Sequence, residues 1–150
     1  MRSIIFVCII LIGLQLSVAA QQDTTNVEID TTQIDEKFFN LGLQYFEKDQ
    51  YEIAIQYFDS VIVHNQEYMD AYAYRGISKL ELGLYMDAIE DFDYALILEP
   101  GYAEVYVFRG DAFLMIEDKE KACENWYEAY ALGLKSSMKR IKANCALEKE

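Results

Sequence analysis

Few residues of this chain have the types and spacing that chemistry requires. His64 is the single histidine. It has no Ser, Cys or second His close by in sequence, so the parts of a nucleophile–base pair are not assembled around it. Adjacent carboxylates occur at Glu90-Asp91 and Glu117-Asp118. Such pairs could exchange protons or hold calcium, yet both lack the loop glycine and the alternating oxygen ligands of a calcium loop. There is no phosphate-cradling glycine loop and no nucleophile elbow. Arg75 and Arg109 could bind an anion, or could pair with an acid such as Asp91 or Asp93. The second reading is preferred in a chain with 13 Lys and Arg against 26 Asp and Glu. The residues thus point to a chain that is not an enzyme and uses no cofactor or metal. Its net charge of −13 opposes nucleic acid and anionic membrane surfaces alike.

The elements that carry these residues are helical. One Pro and 7 Gly in 150 residues are too few for an all-β chain, and 53% hydrophobic residues are too many for a disordered one. Residues 1–20 hold Arg2, an apolar run from Ile4 to Leu14 and the small residues Val18, Ala19 and Ala20. This reads as a signal peptide cleaved after Ala20, with an uncleaved anchor as the alternative. Cleavage places the protein outside the cytoplasm, periplasmic or secreted, with no membrane attachment of its own. Residues 21–34 read as a flexible polar leader.

From residue 35 a step of 34 organises the chain. It relates Gly42, Gly76 and Gly110. It also relates Ala54, Ala88 and Ala122, the bulky rings Phe58, Phe92 and Trp126, and the upstream Phe38, Tyr72 and Tyr106. Each unit holds two helical stretches, near 35–47 and 51–64, 69–82 and 85–98, and 103–116 and 119–132. A small residue on one helix facing an aromatic ring on the other, Gly76 against Phe92 or Ala88 against Tyr72, would allow close approach. Gly83 ends the first helix of the middle unit, with Asp49-Gln50 and Glu117-Asp118 at the corresponding points. Thr32, three residues before Asp35, reads as the first N-cap. In the tail, Leu134, Met138, Ile141 and Cys145 recur on one face of a seventh helix, whose other face carries Lys135, Lys139, Arg140 and Lys142.

The pattern resembles the tetratricopeptide repeat (TPR) family, most closely in Tyr72, Gly76, Gly83, Tyr85, Ala88, Phe92, Ala95 and Pro100. The chain departs at Arg75 and Arg109, at Gln66 and Leu134, and at Lys79. The source suggested is a small exported bacterial TPR protein. The expected fold is all-α, a short right-handed α-solenoid of three repeats over 35–136 (35–68, 69–102 and 103–136) with a capping helix over 137–150.

The resemblance implies a peptide-binding groove lined by Phe39, Asn40, Leu43, Ala73, Tyr74, Ile77, Val107, Phe108 and Asp111, with Phe46, Leu80 and Leu114 beside them. Acids stand nearby at Glu36, Glu47, Asp70, Glu81 and Glu104, which suits an apolar or amphipathic segment with basic flanks. The alternative for each side chain is packing within the array. The Lys, Asn and Arg residues with which some TPR domains hold a chaperone's C-terminal carboxylate are replaced here by Phe39, Leu43, Tyr74, Glu104 and Phe108. The expected function is protein–protein interaction, as an exported adaptor or assembly subunit. The competing readings are an accessory or catalytic domain acting on envelope polymers, and a subunit that self-assembles through its solenoid ends.

Cys123 and Cys145 remain after signal cleavage. Cys123 shares a helix face with Trp126, Tyr127 and Tyr130, and Cys145 lies on the apolar face of the cap. Export and an even count predict a disulfide that pins the cap, the alternative being two packed free thiols.

Overall fold

The computed structural model describes residues 31–145; the expected signal segment, residues 21–30 of the leader and residues 146–150 lie outside them. Among the described residues seven α-helices follow one another: α1 Thr31–Phe46, α2 Tyr51–His64, α3 Met69–Glu81, α4 Tyr85–Leu98, α5 Ala103–Met115, α6 Lys119–Ala131 and α7 Met138–Asn144, the last entered through a 3-10 turn, Lys135–Ser137. They pair as α1/α2, α3/α4 and α5/α6, each pair stacks on the next, and α7 closes against α6. The fold is all-α, a three-repeat solenoid with a C-terminal cap.

The glycine–ring pairing sets the spacing within each repeat. A Cβ on Gly42 would lie 2.5 Å from the Phe58 ring, one on Gly76 2.7 Å from Phe92, and one on Gly110 2.6 Å from Trp126. All three rings are fully buried, as are Ala54, Ala88 and Ala122. One apolar cluster forms in each repeat, and that of the third extends to Ile141 in the cap, with Leu134, Met138 and Cys145 packed against it.

The turns inside the repeats are alike. In each, two backbone N–H groups return to the preceding helix, as in Gly83 N to Leu80 O and Leu84 N to Lys79 O. The residue at the bend adopts the left-handed conformation: Asp49 at φ 57°, Gly83 at 77°, Glu117 at 65°. These are the three positions at which the sequence places a helix stop.

Two expectations change. The first described helix spans Thr31–Phe46, so residues 31–34 are helical and not leader, and Thr32 lies inside the helix and does not precede it as an N-cap. Asp35 is buried within α1, and its Oδ1 accepts no hydrogen bond. The single tail helix divides into the 3-10 turn and the seven-residue α7.

Arg75 and Arg109 tie neighbouring repeats together. Arg75 on α3 donates two hydrogen bonds to Asp91 on α4, at 2.9 and 2.6 Å, and a third to Asp59 on α2 at 2.5 Å. Lys79 adds a contact to Asp91 at 2.8 Å. Burial works against the Arg75 charge, but the two carboxylates outweigh it and the guanidinium pKa is raised. One repeat on, Arg109 bonds Asn125 at 2.7 Å and Asp93 at 2.5 Å.

Candidate peptide-binding cleft

Position 39 of the first repeat, 73 of the second and 107 of the third are equivalent, and their occupants decide where the inner face is open. Phe39 fills its place: its ring lies 5.6 Å from Phe58, 5.0 Å from Tyr68 and 5.6 Å from Tyr74. Phe46 meets Tyr74 edge-on at 5.6 Å. These rings close the surface between α1 and α3. Ala73 puts only a methyl at the same point of the second repeat, where it is itself buried, and beside it a cleft of about 610 Å³ opens between α3 and α5. It is lined by Phe46, Ala73, Tyr74, Ile77, Glu81, Tyr102, Glu104, Val105 and Phe108.

Four of the nine groove residues expected from the sequence therefore come together here: Ala73, Tyr74, Ile77 and Phe108. The other five do not. Phe39 and Leu43 pack into the first-repeat cluster. Val107 is buried against Trp126 and Ile141, and its carbonyl accepts from Trp126 Nε1 at 3.3 Å. Asn40 borders a separate depression on the exposed side of α1, with Gln33, Glu36, Lys37, Leu41 and Gln44. The Asp111 carboxylate is taken by the cap: Arg140 donates to both of its oxygens at 2.7 Å, and Trp126 Nε1 donates at 3.0 Å. Asp111 also edges a second depression of about 440 Å³ with Leu80, Glu81 and Leu114, which meets the first at Glu81.

Tyr102 and Val105 are cleft residues that the sequence reading missed. Tyr102 stands one repeat after Tyr68, each immediately before the first helix of its repeat, and that step was the available signal. The Tyr102 hydroxyl donates to Asp70 at 2.8 Å. Burial, then the Asp70 contact, push its pKa well above the ordinary tyrosine value. It stays a neutral donor that fixes the start of α5 against α3.

Elsewhere, His64 is exposed at the end of α2, its Nδ1 2.6 Å from the Ser60 carbonyl oxygen. No group of three or more His, Cys, Asp or Glu among the described residues could hold a metal ion. Cys123 and Cys145 are joined, Sγ to Sγ, with their Cα atoms 5.7 Å apart.

Residues 75–138 match the tetratricopeptide repeat family, and no curated protein matches the chain. Among solved structures, the first TPR domain of Spaghetti (RPAP3) bound to the HSP90 peptide SRMEEVD is 18% identical, with a TM-score of 0.73 over 75% of this chain and 91% of that one. PcrH from Pseudomonas aeruginosa is 17% identical, TM-score 0.72, over 76% and 93%. The second TPR domain of human RPAP3, in complex with the HSP70 peptide SGPTIEEVD, is 23% identical, TM-score 0.65, over 73% and 93%. These likenesses show a tetratricopeptide-repeat fold, and the match over residues 75–138 supports that family for the chain.

Proposed function

We propose that this chain is a non-catalytic interaction module that holds a segment of a protein partner in the cleft between α3 and α5, and that it works as an exported adaptor or assembly subunit in a periplasmic or secreted setting. The observation that carries the binding reading is the cleft itself. An apolar hollow walled by Tyr74, Ile77 and Phe108 stands open in an array whose glycine–ring contacts, Gly42 with Phe58, Gly76 with Phe92 and Gly110 with Trp126, are closed. Open apolar concavities with a few polar groups at the rim are where ligands bind. Two of the similar domains hold chaperone peptides, which supports a peptide-sized occupant. The export reading rests on residues 1–20 alone.

A photo-crosslinking residue at Ile77, compared with one at the exposed Val63 on α2, tests the binding site in cells. Partner adducts from position 77 and none from 63 are expected; adducts from 63 alone would place the interface elsewhere. Edman sequencing of the protein recovered outside the cytoplasm should begin at Gln21, and retention of the unprocessed chain in the cytoplasm would remove the export reading.

A further inference from the structure

The charges around the cleft are segregated in a way the acidic composition alone does not require. Helices α3 and α5, which wall it, carry three cations, Arg75, Lys79 and Arg109. All three are turned away from it. Arg75 and Lys79 are held on Asp91, with Arg75 reaching on to Asp59, and Arg109 is held on Asp93 and Asn125. Two of the acids nearest the cleft are likewise committed, Asp70 to Tyr102 and Asp111 to Arg140. Glu81 and Glu104 remain. Both line the cleft, both are exposed, and neither carboxylate takes part in an ion pair among the described residues. The lining of an apolar hollow is thus marked by two uncompensated negative charges.

We infer that the occupant is a cationic amphipathic segment: one bulky apolar side chain seated against Ile77 between Tyr74 and Phe108, with Lys or Arg on either side facing Glu81 and Glu104. This deepens the binding function proposed above and rests on it. An apolar side chain leaving water supplies the affinity. The two carboxylates supply charge complementarity, which selects among partners and raises the association rate more than it tightens the complex. An acidic segment would bring like charges together on a partly desolvated surface and would be rejected.

Three labelled 11-residue peptides test this, each with a central Phe flanked by Leu, and with four outer positions all Lys, all Gln or all Glu. Fluorescence anisotropy against the full chain at about 50 mM salt should rank them Lys, Gln, Glu, with at least a tenfold gap between the ends, narrowing as salt is raised. In Glu81→Gln/Glu104→Gln, whose two substitutions are exposed, the Lys peptide should weaken toward the Gln peptide while the Gln peptide is unchanged. Equal binding of all three peptides, or a Lys preference undiminished in the double variant, overturns the cationic-segment assignment. Failure of all three to bind, or binding of the Gln peptide that survives Phe108→Ala in a folded protein, overturns the cleft reading and this inference with it. Retained affinity of the Lys peptide in Phe108→Ala, lost in the double Gln variant, would mean a charge site with no apolar anchor and would equally refute it.

Discussion

Alanine in place of a helical glycine ordinarily stabilises a helix by about 1 kcal/mol, and at Gly76 the opposite sign is expected. A Cβ there would sit 2.7 Å from Phe92 Cε1, 2.9 Å from Cδ1 and 3.2 Å from Asp91 Cβ. Carbon atoms rest about 3.5–4.0 Å apart, so the ring or the helix must move by about 1 Å. Phe92 is fully buried and cannot swing into solvent, and Asp91 is held by Arg75 and Lys79. Overpacking a core in this way costs about 1–3 kcal/mol, and with both neighbours fixed the upper half of that range applies. Set against the helix gain, Gly76→Ala should lose about 1–2 kcal/mol. Urea titration followed by circular dichroism reads this directly. Gly101→Ala is the control: its Cβ would meet only the exposed Glu99 carboxylate at 3.1 Å, and stability should move by less than about 0.5 kcal/mol. Because ring and glycine touch, Phe92→Leu should relieve part of the alanine's cost, leaving the double variant about 1 kcal/mol better than additive. A Gly76→Ala protein at least as stable as wild type, or strict additivity with Phe92→Leu, would refute the idea that this contact sets the helix spacing.

Four further outcomes are expected. Glu117→Gly should stabilise by about 0.5–1 kcal/mol in the same titration, since Glu117 sits at φ 65° where an L-residue is strained. Asp91→Ala should cost about 3 kcal/mol by leaving Lys79 unpaired and Arg75 held by Asp59 alone in a part-buried site; Asp91→Asn, the residue found one repeat on at Asn125, should cost less. Cys145→Ser should lower stability by about 3 kcal/mol under oxidising conditions, since the bridge spans 22 residues, and a reductant should bring wild type down to the variant. Tyr102 has its folded pKa raised above 10, so above pH 10 the unfolded chain releases a proton that the folded one keeps. Stability should then fall with pH by at most about 1.4 kcal/mol per unit, less steeply in Tyr102→Phe, and parallel alkaline melting curves would contradict the burial of the Tyr102 hydroxyl on Asp70.

The scaffold was legible because its rules are local and repeated. The pairing of Gly76 with Phe92, the bends at 49, 83 and 117, and the apolar face ending at Cys145 each follow from residue type at a fixed step. The groove was not, because a family register says which positions point inward and says nothing about which of them the neighbouring helix then covers. Phe39 and Leu43 are covered by rings contributed from α2 and α3. Val107 is covered by Trp126 and the cap, and Asp111 is drawn off by Arg140, a residue 29 positions away. Only the size difference between Phe39 and Ala73 could have located the opening.

The two ends of the array meet water by different means, and that difference explains why the opening lies in the middle. At the C-terminal end α7 has seven residues, too few to be helical unaided. It is held by the burial of Ile141, by the bridge to Cys123 and by the paired bonds of Arg140 to Asp111. At the other end α1 runs to 16 residues and presents Gln33, Glu36, Lys37, Asn40 and Gln44 to solvent. Asn40, at a groove position by register, belongs to this exposed polar side of α1. Each end thus spends its inner-face residues on closure: the rings of α1 seal against α3, and Val107 and Asp111 seal against the cap. The central repeat has neighbours on both sides and needs no such closure, so Ala73 can leave a hollow there without exposing the core.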